Sequence, residues 1–503
     1  MESLSETQWD VVIEGTGLRQ SLLALALSRS NKKVLHVDQN EYYGGIAAAF
    51  SLQEIEEWAE RVTKEPTTGP FRNASIWRAS DEDPTGGEAL SFSRAYSLSL
   101  SPQIIYSKSK LLSQLVSSQV YRQLEFQAVG NWWIYVPTVP SEPAQTATLK
   151  RLPNGREDIF EDSSIENRAK RCLMKFLKFV ADYENHAEIW ESHAKSGLPQ
   201  FLASQFQLSS QLQAVICALT LSLNSPEETS VGYSLPRIKR HLTSIGVFGP
   251  GFGAVVPKWG GGAEIAQVAC RAGAVGGGVY VLGTGISSSQ QSDNDAPIEV
   301  QLSNGETVQT KHLARFTEFV SDTQPNNTTI SRIMAVVSSP LTSLFENSVE
   351  GSPVPAVSVI VFPPGTLTND SIAHRYPAYV IPHSSDAGEC PVGQCVLYAT
   401  TLCTTNSKDL LETALNAFLT THGEDTKLLY SVYYEQQECG WQTKDLSDRS
   451  NPSFDLAFND LLLEDVAAEW KAILGSDVDE STFMQFEKRP NMDDGDDDYD
   501  NEH

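Results

Sequence analysis

The chain has 503 residues and a formal net charge of −27, with 64 acidic residues against 37 basic ones. This length predicts one large multilayer unit or two to three domains with an ample core. The acidic composition excludes a nucleic-acid binder, which would need a basic face, and favours basic protein partners.

The cysteines and the apolar runs of the sequence indicate the cellular compartment of the protein. Seven scattered cysteines, an odd number, do not have the pattern of a disulfide framework, so we expect a reducing environment. The lone C-x4-C pair of Cys390 and Cys395 is typical of two buried thiols and not of a metal site. The amino end is acidic and polar, unlike a secretory signal, and no apolar run reaches membrane-spanning length. We therefore expect a cytoplasmic protein without a metal.

The first predicted elements form a β-α-β unit over residues 9–45. Residues 9–14 are a predicted buried strand, a glycine turn then opens a helix, and residues 33–38 are a second strand ending in Asp38. A dinucleotide-binding fold has this order, with an acid about 20 residues past the turn as its ribose contact. The pattern predicts an α/β fold with an FAD/NAD(P)-binding-like doubly wound domain.

Helical patterns dominate the next part of the chain. Three-and-four spacing of apolar residues predicts a helix from Ser51 to before Pro66 and another over residues 103–126. Ser163-x-x-Glu166 has the pattern of a capping box that would open a third helix. We predict that residues 120–230 form an all-helical domain inserted into the α/β chain.

The α/β pattern then resumes, which assigns residues 1–119 and 231–475 to one discontinuous domain. Strands are predicted at 254–256, 279–282, 357–362 and 395–398, and helices at 236–245, 264–272, 409–419 and 457–474. The acidic run from Asp493 to Asp500 has nothing apolar to bury. Residues 476–503 are therefore predicted to be a disordered tail.

The glycine turn departs from the dinucleotide-binding pattern at one position. Gly15 and Gly17 occupy the first two places of G-x-G-x-x-G, but the third is Gln20. That place needs no side chain, because the helix packs tightly on the strand beneath the pyrophosphate. We interpret Gly15, Gly17 and Asp38 as a vestigial nucleotide turn and expect no cofactor. The alternative, a turn whose backbone N–H groups still cradle a phosphate, remains open.

Two features indicate a protein contact. Tyr42 and Tyr43 stand where flavin enzymes usually carry a basic residue, and exposed tyrosines beside glycines are typical contact anchors; alternatively, both rings pack under the loop. Glu264, Gln267 and Arg271 fall at i, i+3 and i+7 on one helix face. No nucleophile–base motif, metalloprotease motif or Walker loop occurs, so no catalytic residue is predicted.

Several blocks of the sequence, in order, resemble the Rab GDP-dissociation inhibitor and Rab escort protein superfamily. They are residues 9–45, 106–112, 121–126, 175–180 and 262–282, and the resemblance covers most of the chain. The resemblance implies a flavoprotein fold that has lost its flavin. It also implies binding of GDP-form Rab GTPases and shielding of their geranylgeranyl lipid in the helical domain.

The resemblance also implies residue roles by position. The Rab-binding platform would consist of Tyr43, Glu264, Gln267, Arg271, Val279 and Val281. The last two stand where the family often has threonine and methionine, which preserves an apolar contact. The candidates for the prenyl pocket are Phe176, Val180, Val215, Ile216 and Leu219. For each of these five, packing in the core is the alternative.

Three features of the sequence favour the escort branch of this superfamily, of fungal type: Glu14, the length of the chain and its acidic tail. Glu14 precedes the first glycine as in escort proteins, where inhibitors usually carry an apolar residue. An escort protein, component A, would present Rab to the geranylgeranyltransferase α/β heterodimer and supply no catalytic residue. It would then deliver the product through transient membrane contact. The alternatives are a GDP-dissociation inhibitor that recycles prenylated Rabs and an FAD-dependent oxidoreductase.

Overall fold

The computed structural model describes residues 4–64, 69–79, 90–138, 147–153, 159, 163, 165–293, 296–315, 328–347, 349–369, 372–422, 426–437, 455–475 and 477–487. Its helices are α1 (Leu18–Leu27), α2 (Leu52–Lys64), α3 (Lys110–Ser117), α4 (Asn167–Ala181), α5 (Ala187–Trp190), α6 (Leu198–Phe206), α7 (Ser210–Ala218), α8 (Val231–Ser244), α9 (Gly262–Val275), α10 (Ser407–His422) and α11 (Leu461–Leu474).

The strands are β1 (Gln8–Glu14), β2 (Val34–Val37), β3 (Ala49–Phe50), β4 (Phe71–Arg78), β5 (Leu98–Ser99), β6 (Ile105–Tyr106), β7 (Phe126–Val136), β8 (Thr148–Arg151), β9 (Ala254–Pro257), β10 (Val279–Val281), β11 (Ile286–Gln291), β12 (Ile298–Leu302), β13 (Thr307–Arg315), β14 (Thr329–Val337), β15 (Val357–Phe362), β16 (Thr368–Asn369), β17 (Ile372–Ala373), β18 (Ala378–Ser384), β19 (Cys395–Leu402) and β20 (Leu428–Gln437).

The smaller of the two main sheets carries the nucleotide-fold pattern. Within the described residues its strand order is β10-β2-β1-β13-β12-β11, and the first four strands run parallel. Helix α1 connects β1 to β2 and packs against α9 and α11. Strand β1 buries Val11, Val12 and Ile13 completely, as expected for a parallel strand covered on both faces. The predicted α/β doubly wound domain is confirmed.

The larger sheet corrects the prediction for residues 120–230. Its order in the described chain is β4-β20-β14-β19-β18-β15-β7-β9-β6, with β8 paired to β7. Strands β7 and β8 lie inside the segment predicted to be all-helical, whose helices begin only with α4. Strand β7 is buried along most of its length, so its apolar run lacks the alternation that marks a half-buried strand. The division of the chain by function remains a prediction.

Two local helix predictions are also wrong. The segment 103–126 contains β6, α3 and the start of β7 instead of one helix, because the Ser109 hydroxyl accepts a hydrogen bond from the Leu111 N–H and caps a new helix there. The capping box at Ser163 does not form. Helix α4 begins after Glu166, and no side chain caps it.

The predicted disordered tail begins too early. Residues 477–487 pack on the α/β domain: the Phe483 ring lies 5.4 Å from that of Trp470, Met484 is buried, and Arg29 stacks over Phe486. These apolar side chains were overlooked because acidic residues surround them. The acidic run Asp493 to Asp500 lies outside the described residues.

The helical segment and the larger sheet share one hydrophobic core. Phe176, Phe201 and Phe206 pack together between α4 and α6, with ring centroids 5.2 to 5.6 Å apart for the contacts to Phe206. Helix α8 is tied to the segment before α11 by Arg237, which donates to both Asp455 carboxylate oxygens at 3.0 and 2.8 Å. Among the described helices, none combines the length and apolar character needed to cross a bilayer.

We predict that Asp455→Ala lowers the free energy of unfolding by about 3 kcal/mol, because it leaves the Arg237 guanidinium buried without its carboxylate. The two side chains are only 15% and 9% exposed. Urea unfolding followed by tryptophan fluorescence measures the loss. The matched control is Glu60→Ala, which breaks the exposed pair with Lys64 and should cost less than about 1 kcal/mol. Equal losses in the two variants would contradict the prediction.

Candidate functional site

The glycine turn keeps its backbone shape, but a side chain fills the space beneath it. Gly15 has a φ of +87°, in the region that favours glycine, and Gly17 precedes the first residue of α1. Gln20 is buried, and a methyl group at Gly15 would lie 3.1 Å from its amide nitrogen. A glycine in the place of Gln20 would leave this space open for close helix–strand packing under a pyrophosphate.

Asp38, the predicted ribose ligand, is occupied by hydrogen bonds within the protein. Its carboxylate accepts from the Thr16 N–H at 2.7 Å, the Thr16 hydroxyl at 2.6 Å, the Asn40 N–H at 2.8 Å and the Asn40 amide at 3.0 Å. A carboxylate offers about four acceptor positions, so these four donors fill the hydrogen-bonding capacity of the Asp38 side chain. Together with Gln20, this arrangement does not fit a dinucleotide cofactor.

His36 supports the turn from below. Its Nε2 lies at hydrogen-bond distance from the Gly15 carbonyl, and its ring centroid is 4.9 Å from that of Tyr280. Burial lowers the pKa of His36 to about 4, so the ring is neutral at physiological pH and donates to Gly15 through Nε2–H.

The loop that carries Tyr43 is pressed against the start of α9. Gly44 has a φ of +103°, and its N–H donates to the Thr16 carbonyl at 3.1 Å. A methyl group at Gly44 would lie 3.0 Å from the Cα of Ala48 and 3.4 Å from that of Ala263. Only glycine allows this approach without displacement, so the turn, the loop and α9 hold one another in place.

The predicted platform residues lie on α9, the Tyr43 loop and β10. Gln267 and Arg271 are exposed, whereas Glu264 is half-buried. Burial raises the pKa of the Glu264 carboxyl, and the Arg271 guanidinium acts in the opposite direction, which places these two charges on one surface. Ile265 and Val268 on the other face of α9 are fully buried. The predicted orientation of the helix is therefore confirmed.

Tyr43 and β10 complete this surface, which we call the platform (Tyr43, Glu264, Gln267, Arg271, Val279 and Val281). Tyr43 is half-buried, and its pKa is raised by burial and by the nearby Cys270 thiol. Val279 is 38% exposed and Val281 is half-buried. Tyr42 instead packs edge-on against Phe50, with ring centroids 4.8 Å apart, so for this ring packing under the loop is what the structure shows.

Tyr280, between the two platform valines, fixes the distance from β10 to α9. It points inward, and a methyl group on Gly273 of α9 would overlap its hydroxyl oxygen. Cys270, one turn earlier on α9, lies 3.2 Å from the Ser21 hydroxyl of α1, and burial raises its pKa to about 11. Sequence reasoning missed Gly273 and Tyr280, because their contact is tertiary.

The second candidate feature is an apolar cavity of about 1270 Å³. Its walls come from α4, α7, the end of α8, strands β7 and β8, and Pro363–Pro364. Of the predicted pocket residues, Val215, Ile216 and Leu219 line it. Phe176 and Val180 are fully buried in the core beside it, with Phe176 packed edge-on against Phe206. Sequence reasoning missed the wall built by β7 and β8, because the prediction for residues 120–230 is an all-helical domain.

The described ranges contain no group of three or more His, Cys, Asp or Glu side chains placed to hold a metal ion. Cys390 and Cys395 are free and buried, and burial raises the pKa of the Cys390 thiol to about 12. Both therefore have the character of inert core thiols.

Residues 5–351, more than half of the chain, match the family model described as "GDP dissociation inhibitor". The chain belongs to the GDP dissociation inhibitor family. Family members of two kinds are similar to it. The "Rab proteins geranylgeranyltransferase component A" of Saccharomyces cerevisiae is 32% identical over 78% of this chain and 61% of the relative, and that of Candida albicans is 30% identical over 78% and 59%. The chain thus spans about three fifths of the length of these two relatives.

"Guanosine nucleotide diphosphate dissociation inhibitor 1" of Arabidopsis thaliana is 23% identical over 94% of this chain and 97% of the relative. Among solved structures, Rab GDI from Plasmodium falciparum has a TM-score of 0.63 at 18% identity, over 92% of this chain and 97% of that one. An oxidoreductase from Methanosarcina mazei has a TM-score of 0.53 at 13% identity, over 86% and 88%. At these identities the structures show a shared fold with oxidoreductases and nothing about activity.

The His36 pKa predicts acid sensitivity. Its folded-state value of about 4 lies below the ordinary value of 6.5, so between these limits the unfolded chain binds a proton that the folded chain does not. Stability is therefore lost as the pH falls from about 6.5 towards 4. We expect His36→Gln to lose about 2 kcal/mol less than the wild type between pH 7 and pH 5. Urea unfolding at both pH values measures this, and parallel pH profiles would contradict it.

A double-mutant cycle tests the contact below the platform. Gly273→Ala should destabilise the fold by about 2 kcal/mol, because the added methyl group overlaps the hydroxyl oxygen of Tyr280. Tyr280→Phe removes the overlapped oxygen, so the double variant should recover most of the loss. Thermal or urea unfolding of the four proteins gives the coupling energy. Additive effects would show that the two residues do not set the spacing between α9 and β10.

Proposed function

We propose that the chain is a Rab escort protein. It binds newly made, GDP-bound Rab GTPases, presents them to the geranylgeranyltransferase α/β heterodimer and delivers the prenylated Rab to membranes. The observation that carries the proposal is the apolar cavity of about 1270 Å³ in the same chain as the platform. The names of the relatives at 30–32% identity support it.

The cavity has the chemistry that a protein-bound isoprenoid requires. A geranylgeranyl group has about twenty carbons, and each one left in water costs about 0.8 kcal/mol. Leu173, Leu177 and Val215 are among the apolar side chains of the wall. Shielding the lipid there keeps the prenylated partner soluble until it reaches a bilayer.

The platform has the composition of a protein contact surface. Tyrosine and arginine are the residue types enriched at binding hot spots, and the platform contains Tyr43, Arg271 and the exposed Val279. Close approach of the Gly44 loop to α9 makes the surface rigid before binding, which lowers the entropy cost of association. In this role the transferase supplies the chemistry, and the chain acts as its non-catalytic component A.

The nearest alternative is a GDP-dissociation inhibitor that recycles prenylated Rabs. The Arabidopsis inhibitor, which is similar over nearly the whole chain, favours this alternative. An FAD-dependent oxidoreductase is the second alternative. The Gln20 side chain below the turn and the four internal hydrogen bonds of Asp38 count against it.

A reconstituted prenylation assay tests the proposal. Unprenylated GDP-form Rab, the transferase heterodimer and labelled geranylgeranyl diphosphate are incubated with and without the chain. An escort protein makes transfer of the label to Rab depend on its presence. No transfer, together with extraction of prenylated Rab from membranes, would identify an inhibitor. Neither activity, with a yellow purified protein, would identify a flavoenzyme.

Two single variants should separate the platform from the cavity. Val215→Trp fills part of the cavity and should lower retention of prenylated Rab at least about tenfold, with unchanged affinity for unprenylated Rab. Arg271→Ala should weaken both complexes by roughly tenfold. The control is Val116→Trp, at a 53% exposed position on α3, which should change neither. If Val215→Trp and Arg271→Ala act alike, the assignment of separate roles is wrong.

A further inference from the structure

Helix α4 is positively charged, opposite in sign to the chain as a whole. It contains Arg168, Lys170, Arg171, Lys175 and Lys178 and no acidic residue in its 15 positions, although the whole chain has a net charge of −27. Five positive charges on a short helix repel one another and lower its stability in isolation. Such a concentration in an acidic protein indicates an anionic binding partner.

The exposed charges lie on one face. Arg168, Arg171, Lys175 and Lys178 follow at i, i+3, i+7 and i+10 and are exposed, so they form a continuous stripe along the helix. On the other side, Leu173, Phe176 and Val180 are buried. Helix α4 is thus a basic amphipathic helix whose apolar face is anchored in the core, which leaves the basic stripe at the surface.

The last residue of this stripe reaches the apolar cavity, whose lining also includes the acidic Glu166 just before α4. Lys178 itself lines the cavity, beside Leu177 and Ala181 of the same helix. Strand β8 adds exposed Lys150 and Arg151 to the wall. We call these six residues the cationic rim: Lys150, Arg151, Arg168, Arg171, Lys175 and Lys178. Val136 of β7 also lines the cavity and is 42% exposed, so apolar and basic groups meet at its edge.

We propose that the cationic rim docks the protein on a bilayer that contains anionic phospholipids, with the cavity opening towards the headgroups. Basic residues close to an anionic leaflet are attracted to it, and the attraction falls off within a Debye length. The remaining surface of this acidic chain is repelled by the same leaflet, so the charge distribution selects the orientation.

This proposal rests on the proposed function in one respect only, namely that the molecule released at the membrane is a geranylgeranyl chain held in the cavity. A geranylgeranyl chain that left the cavity into water would lose the shielding of every carbon at once. With the rim on the headgroups, the chain passes from the cavity into the bilayer without crossing bulk water. The rim therefore provides the exit side for a lipid held beside α4.

Vesicle sedimentation of the full chain alone, without Rab, tests the docking. The vesicles are phosphatidylcholine, with or without phosphatidylserine. We expect binding only to the vesicles with phosphatidylserine, weakened by added salt. Reversing the α4 stripe should lower the bound-to-free ratio at least about tenfold; this variant is Arg168→Glu, Arg171→Glu, Lys175→Glu and Lys178→Glu. The matched control has the same change of net charge at exposed sites elsewhere: Lys33→Glu, Lys64→Glu, Lys408→Glu and Lys427→Glu.

Circular dichroism checks that both variants fold, and replacing the four stripe residues with glutamine gives a milder version with the same expected direction. Equal binding to both vesicle types, or equal losses in the stripe and control variants, would overturn the proposal. It is also overturned if the full chain does not bind and only a variant that lacks residues 488–503 does, because the acidic residues of the chain itself would then be the occupant of the rim.

The prenylation assay separates this result from the proposed function. In a membrane-free assay, a stripe variant that keeps the cavity residue Lys178, with Arg168→Glu, Arg171→Glu and Lys175→Glu only, should support transfer as the wild type does. If the wild-type chain fails in the prenylation assay but its vesicle binding depends on the stripe, the membrane docking stands and the proposed escort function is wrong. A stripe variant that loses transfer and shows no vesicle effect would assign the rim to an acidic protein and overturn the docking.

Discussion

Four hydrogen bonds to the buried Asp38 carboxylate join the parts of the molecule on which the platform is built. Two come from Thr16 in the glycine turn and two from Asn40 in the following loop. The Asp38 backbone adds a link to β10, where its N–H donates to the Val281 carbonyl at 3.0 Å. The turn, the Tyr43 loop and β10 therefore share one anchor, and its loss would leave several buried donors without an acceptor.

This anchor explains how a nucleotide fold can present the platform, which we propose as a protein-binding surface. In a dinucleotide-binding protein the acid after the second strand is reserved for the ribose. Here the acid is used for internal hydrogen bonds, and Gln20 fills the space below Gly15. The parallel sheet keeps its architecture because that depends on buried apolar strands such as β1 and on the packing of α1 against α9, neither of which requires a cofactor.

The cavity and the charges around it follow from a different part of the fold. Helices α4 and α7 each turn apolar side chains towards strands β7 and β8, and the space between them is not filled by core residues. The same helix α4 that supplies one wall carries its basic side chains on the outside. The proposed binding site for an apolar chain and the proposed surface for anionic headgroups thus belong to different faces of one amphipathic helix.

Local sequence patterns were sufficient to predict several features of this fold. The β-α-β order, the damaged third glycine position and the i, i+3, i+7 face of α9 each depend on spacing within a few residues, and the structure places them as predicted. Strand β7 was missed because burial on both faces removes the alternation that identifies a strand. The acidic neighbours of Met484 predict a disordered tail, whereas its side chain packs in the core.

The sequence alone determined the fold class, the family resemblance and the orientation of α9, because backbone periodicity and glycine positions are local properties. Only the tertiary structure decided which pocket candidates face the cavity: Val215 does and Phe176 does not, although both are apolar residues on helices. It also decided the contact of Gly273 with Tyr280 and placed Lys150 and Lys178 in the wall of the same cavity. These relations join residues far apart in the chain, and their distances depend on how whole elements pack.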